Sequence, residues 1–161
     1  MPELTTGMRR SGRDRRHFEI MGGGYIATGP DDAAVAKAID EIRYRIAFYG
    51  STKAYWPVFE LHGLHDLGEK LRRMVAASQW DRIAAEVPDE VVHLFAAVGR
   101  YDEIVRRVEE RFGGAVDTLY TGLLPTMDKD LPADLIQDIR RVPHVFDSYR
   151  APTVAPAGAN P

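Results

Sequence analysis

The sequence contains no cysteine in 161 residues. That excludes disulfides, thiolate metal sites and a cysteine nucleophile, and it suits a reducing cell interior. No apolar run approaches the roughly 18 residues a membrane span needs, and no apolar signal segment follows Met1. Charge of one sign is scarce too: the formal net charge is −3. On that ground neither nucleic acid nor an anionic membrane is expected as a partner. A cytoplasmic location is the expectation. The chain is short for a closed (β/α)8 barrel, which takes about 250 residues, but long enough for one domain with a core.

What is present is ordinary for a globular chain, with 45% hydrophobic and 28% charged residues. Residues 1–17 are basic, with Arg9, Arg10, Arg13, Arg15, Arg16 and His17, but no aromatics interleave them. They read as a solvated helix end rather than a nucleic-acid arm. Phe18 to Thr28 reads as a strand interrupted by Gly22-Gly23-Gly24. Gly22-x-Gly24-x-x-Ala27 formally satisfies a dinucleotide-loop pattern, but such a loop must open directly into a helix. Here the helix signal waits until Gly29-Pro30-Asp31-Asp32, so a bulge or a close backbone approach accounts better for the glycines.

From about Pro30 to Tyr49 the pattern is helical, with Pro30 at the first position and Val35, Ile39, Ile42 and Ile46 as one apolar stripe. Lys37, Asp40, Glu41, Arg43 and Arg45 cover its other faces. Gly50 then fits a left-handed C-terminal cap. The stretch Phe48-Tyr49-Gly50-Ser51-Thr52, continued by Tyr55 and Trp56, offers flat apolar walls with phenols and hydroxyls. Such a run can line a pocket for a planar ring, or it can be a helix end followed by core aromatics. Three short helices are expected next, from about Asp66 to Ala77, near Gln79 to Glu86, and from Pro88-Asp89-Glu90 onward, with Trp80 in the core. Phe95 to Gly99 leads into a helix from about Tyr101 to Phe112 with the stripe Ile104, Val105, Val108 and Phe112, ended by Gly113-Gly114. Val116 to Tyr120 reads as a strand with Thr121 and Gly122 at its C-terminal end, and Pro132 to Val142 as a short helix. Strand, helix, helical excursion, helix and strand in that order point to parallel strands.

Few constellations carry chemistry. His62-x-x-His65, beside Glu60 and Asp66, supplies candidate metal ligands. It lacks the helix-borne pair four apart that makes such a signal strong, and no metal is expected. Ser51 is the one serine in a suggestive setting, and it lacks the Gly-x-Ser-x-Gly elbow of a hydrolase.

A family resemblance joins these pieces. Ser11-Gly12-Arg13, Phe18-Glu19-Ile20, Tyr49-Gly50-Ser51-Thr52, Asp66-Leu67-Gly68, Trp80-Asp81 and Phe95-Ala96-Ala97-Val98-Gly99, in this order, resemble the luciferase-like monooxygenase superfamily. More narrowly, they resemble its branch of F420-dependent oxidoreductases. The resemblance runs from about Gly7 to about Leu124 and implies a fold, a cofactor and a site. The fold is α/β and helix-rich: a partial (β/α)8 barrel made of the last two or so β/α units plus a helical excursion. Residues 1–142 would be the C-terminal portion of that barrel, and residues 143–161, rich in Pro, Ala and Gly, a disordered tail. The cofactor would be coenzyme F420, alternatively FMN, with Ser51, Thr52 and Tyr55 contacting it or a small-molecule substrate. Arg100 stands where relatives commonly carry a capping Ser or Thr, and Trp56 where they often carry a base. The implied activity is hydride or monooxygenase-type redox chemistry, requiring a complementing N-terminal half. A homo-oligomer is the other expected assembly, and the alternative function is a non-catalytic α/β interaction module.

Overall fold

Two small parallel sheets are built on the stretch that the glycines divide. In the computed structural model, which describes residues 1–120 and 131–149, β1 (Met21–Gly23) and β2 (Tyr25–Ala27) are separated by Gly24 alone. A Cβ on Gly24 would lie 2.4 Å from Phe112 Cζ, and one on Gly22 would lie 2.6 Å from a Val116 methyl. The triple glycine is thus the close approach its sequence suggests.

β2 pairs in parallel with β3 (Ala96–Val98), Ile26 opposite Ala97, and β1 pairs in parallel with β4 (Thr118–Tyr120), Gly22 opposite Leu119. The carbonyls of Ala27 and Gly29 accept from the N–H groups of Gly99 and Tyr101, whereas the carbonyl of Ile20 accepts from Asp117. The two pairings form separate two-stranded sheets, divided at Gly24.

The helices pack beside these strands. α2 (Asp32–Gly50) buries Val35, Ile42, Ile46 and Ala47, and α6 (Ile104–Phe112) buries Ile104, Val108 and Phe112. Tyr25 shares a pocket with Ile46 and Tyr49 of α2, while Ile26 and Thr28 share a cavity with Val108 and Phe112 of α6. Alternation along β2 therefore puts α2 and α6 on opposite faces. The protein is a mixed α/β, helix-rich chain.

Several sequence expectations shift in detail. Asp31, not Pro30, opens α2: its Oδ1 accepts from Ala34 N at 2.8 Å. Gly50 is not a left-handed cap but the last residue of the helix, and it must be small because a Cβ there would meet Phe59 Cζ at 2.3 Å. Arg43 does not sit on a solvated face; its guanidinium, 18% exposed, donates to Val87 O and to Asp89 Oδ1, each at 2.5 Å. Trp80 is 41% exposed rather than core. The excursion comprises α3 (Trp56–Leu61), α4 (His65–Ala76), a 3-10 turn over Ile83–Glu86 and α5 (Asp89–Phe95). Leu71 and Ile83 are fully buried beneath it. Glu103 Oε2 accepts from Arg100 N at 3.2 Å, which supplies half a capping box at the entry to α6 despite the arginine. α1 (Pro2–Ser11) ends at Gly12 with φ 65° and buries none of its residues. α7 (Ala133–Arg140) follows Pro132 and buries Leu135. Thr121, Gly122 and residues 150–161 of the expected tail lie outside the described residues. No helix among the described residues is long and apolar enough to cross a membrane.

Candidate functional site: an aromatic pocket beside the sheet

Five elements bring aromatic side chains to one place. Tyr25 starts β2 and faces α2. Ile46 and Tyr49, three apart, lie on that same helix face. Tyr55 closes a 3-10 turn over Lys53–Tyr55, Val58 and Phe59 follow on α3, and Phe95 ends α5. Together they line a pocket of about 200 Å3. Tyr49 and Tyr55 meet edge to face with ring centroids 4.9 Å apart, and Phe59 and Phe95 stack at 6.0 Å. Such contacts hold the walls rigid. Burial pushes the Tyr25 phenol up to about 12, with Tyr49 adding to the effect and Arg45 opposing it. At neutral pH Tyr25 is therefore a hydrogen-bond donor and not a phenolate.

Of the residues singled out in the sequence, Tyr55 is a wall of this pocket and 47% exposed. Ser51 is buried, and its hydroxyl donates to Phe48 O at 2.7 Å, so it closes the end of α2 instead of lining the pocket. Thr52 is exposed, and its carbonyl accepts from Tyr55 N. Trp56 donates its indole N–H to Gly50 O at 2.9 Å, and Lys53 lies over its ring. Tyr25, Phe59 and Phe95 were not singled out from the sequence. Only tertiary packing unites them, and the sole local sign is an aromatic at the start of β2 and another just before β3.

His62 packs edge-on against Phe95, whereas His65 turns to Glu60, 3.3 Å from its Nδ1. Among the described residues no group of three or more His, Asp or Glu side chains is gathered to hold a metal ion.

A second polar centre lies across the sheet. Asp117, its side chain 2% exposed, pairs with Arg15 at 2.8 Å and accepts from the N–H groups of Ile20, Val145 and Phe146. Burial by itself would raise its pKa, but these donors outweigh that and hold the carboxyl well below the usual carboxylate range. The arrangement ties β1 to residues 145–146. Asp117 is fully paired there, although Arg15 Nη2 is buried without a partner, and the arrangement is assigned to structure.

The fold and pocket thus define an α/β chain with an aromatic wall suited to one side of a planar ring. The chain belongs to the luciferase-like monooxygenase family, whose pattern matches residues 1–118. That family comprises oxidoreductases of the flavin type, with flavin or deazaflavin cofactors. The chain is 40% identical over 141 residues to the uncharacterized protein Rv1360 of Mycobacterium tuberculosis and, equally, to the uncharacterized protein Mb1395 of Mycobacterium bovis. Each match covers 88% of this chain but only 41% of the relative. No solved structure matches it.

The pocket fits a flavin-like cofactor in part. Its aromatic faces and phenols suit a ring edge, but no cation lines it to meet a phosphate, and 200 Å3 is below the roughly 300 Å3 at which small-molecule sites begin. This chain by itself therefore does not provide the whole of such a site.

Proposed function

We propose that the chain is the C-terminal portion of an F420-dependent luciferase-like oxidoreductase, with FMN as the alternative cofactor. The carrying observation is the family match over residues 1–118 together with coverage of only 41% of the relatives' length. In this reading the missing length supplies the phosphate site and most ring contacts. Tyr25, Tyr49 and Tyr55 contribute one aromatic wall, and Ser51 and Thr52 hold that wall in place at the end of α2. The cofactor, when bound, supplies the redox chemistry; the protein's part is to position the ring and exclude water. The small-molecule substrate belongs to the same mouth.

Cofactor binding tests this reading. Deazaflavin fluorescence anisotropy with the isolated chain is expected to show no saturable binding. The full-length Mycobacterium tuberculosis relative is expected to bind F420, and replacing its counterpart of Tyr55 by Ala should weaken binding about tenfold, the scale of one aromatic contact. A relative that binds neither F420 nor FMN would overturn the proposal.

A further inference from the structure

On the face opposite the aromatic pocket, a cavity of about 570 Å3 opens between the sheet and helices α6 and α7. Its size falls within the roughly 300–1,000 Å3 of small-molecule sites. The walls are apolar: Ile26, Val108, Phe112, Leu119, Ile139 and Val142. Thr28 lines it too, 8% exposed, and its Oγ1 has no hydrogen-bond partner. A buried hydroxyl left unpaired costs stability, so in a well-packed chain it calls for a partner. Rotation about χ1 is the one torsion that turns it toward a ligand.

The rim adds charge. Arg140 is exposed at the edge of the cavity and makes no ion pair among the described residues. Asp117 also lines the cavity, but Arg15 and three backbone N–H groups occupy its carboxylate, and the Thr118 hydroxyl donates to Glu19. Thr28 and Arg140, with the exposed His144, whose Nδ1 lies 3.1 Å from Phe146 O, are thus the polar groups that can meet a ligand. Thr28 directly follows the C-terminal end of β2.

We propose that this cavity binds an aromatic carboxylate that carries a hydroxyl or carbonyl oxygen at the end away from its carboxylate. The ring lies among Ile26, Phe112 and Ile139, the far oxygen meets Thr28, and the carboxylate meets Arg140. This site is distinct from the aromatic pocket and does not rest on the redox reading.

Three probes separate these contacts by isothermal titration: 4-(4-hydroxyphenyl)butanoate, 4-phenylbutanoate, which lacks the hydroxyl, and 4-(4-hydroxyphenyl)butan-1-ol, which lacks the charge. The first should bind with a Kd of about 1 mM or tighter, as its size allows. Thr28→Val, which removes an unpaired hydroxyl and should fold at least as stably, should weaken the first probe about fivefold and leave 4-phenylbutanoate unchanged. Arg140→Gln should weaken both carboxylates about fivefold and spare the alcohol. Failure of all three probes to bind the folded chain at about ten times that concentration would overturn the proposal. So would a Thr28→Val chain that binds the first probe as the parent does, or an Arg140→Gln substitution that leaves the carboxylates unweakened or weakens the alcohol as much as them.

Discussion

At Gly50 a single hydrogen atom decides the packing. Phe59 and Leu71 press against it, and an added Cβ would stand 2.3 Å and 3.1 Å from them. Gly50→Ala should therefore destabilise the chain by about 1–3 kcal/mol through overpacking, although alanine is the better helix former. A lowered urea midpoint would check this, and an unchanged or raised midpoint would show that Phe59 moves aside freely. Asp117 gives a pH prediction. Its folded pKa lies below the unfolded value of about 3.9, so its contribution is fully present above that value and is lost as pH falls through the folded one. Asp117→Asn should lower stability at pH 7 yet flatten the loss of stability between about pH 5 and pH 2. Parallel acid-dependence curves for the two chains would contradict the assignment. Neither residue's role is legible locally. Gly50 looked like a cap because glycine at a helix end usually is one, and the ring that forbids a side chain arrives from nine residues on.

At the scale of elements, periodicity carried furthest. The apolar stripe of α2 appears in the structure, with Val35, Ile42 and Ile46 buried, because a 3.6-residue repeat is a property of the segment itself. The break in the first strand was legible for the same reason, since three glycines in a row have few other uses. The pairing of β4 with β1 was not, because it joins segments far apart in the chain. Arg43 was also misplaced. Its charge suggested solvent, but its long stem lies along the helix and its guanidinium anchors the start of α5 through Val87 O and Asp89. Arg43→Met keeps the stem and removes the anchor. It should cost about 1–3 kcal/mol, the scale of leaving a carbonyl unpaired, read as a shift of the thermal midpoint. The candidate site divides along the same line. Tyr55 was visible within a continuous aromatic run, whereas Tyr25, Phe59 and Phe95 come from three further elements and meet only in the folded chain.

At the scale of the whole molecule, several large apolar side chains stay exposed. Tyr44, Phe48 and Trp80 are each more than two-fifths exposed, with the Phe48 and Trp80 rings 6.1 Å apart, and Leu61 is 80% exposed. α1 buries nothing. Contiguous exposed apolar groups of this kind mark surfaces that meet other polypeptide. The isolated chain should therefore self-associate, visible in sedimentation velocity as a weight-average mass that rises with concentration above 18.0 kDa. A single monomeric boundary with a cooperative melt would argue against the incomplete barrel. The measurement that tests the central claim most directly is an F420 titration of this chain, alone and mixed with the part of the Mycobacterium tuberculosis relative that lies outside the matched 141 residues. No binding by either piece and saturable binding by the mixture is the predicted result. Saturable binding by this chain alone, or none by the mixture while the intact relative binds, would contradict it.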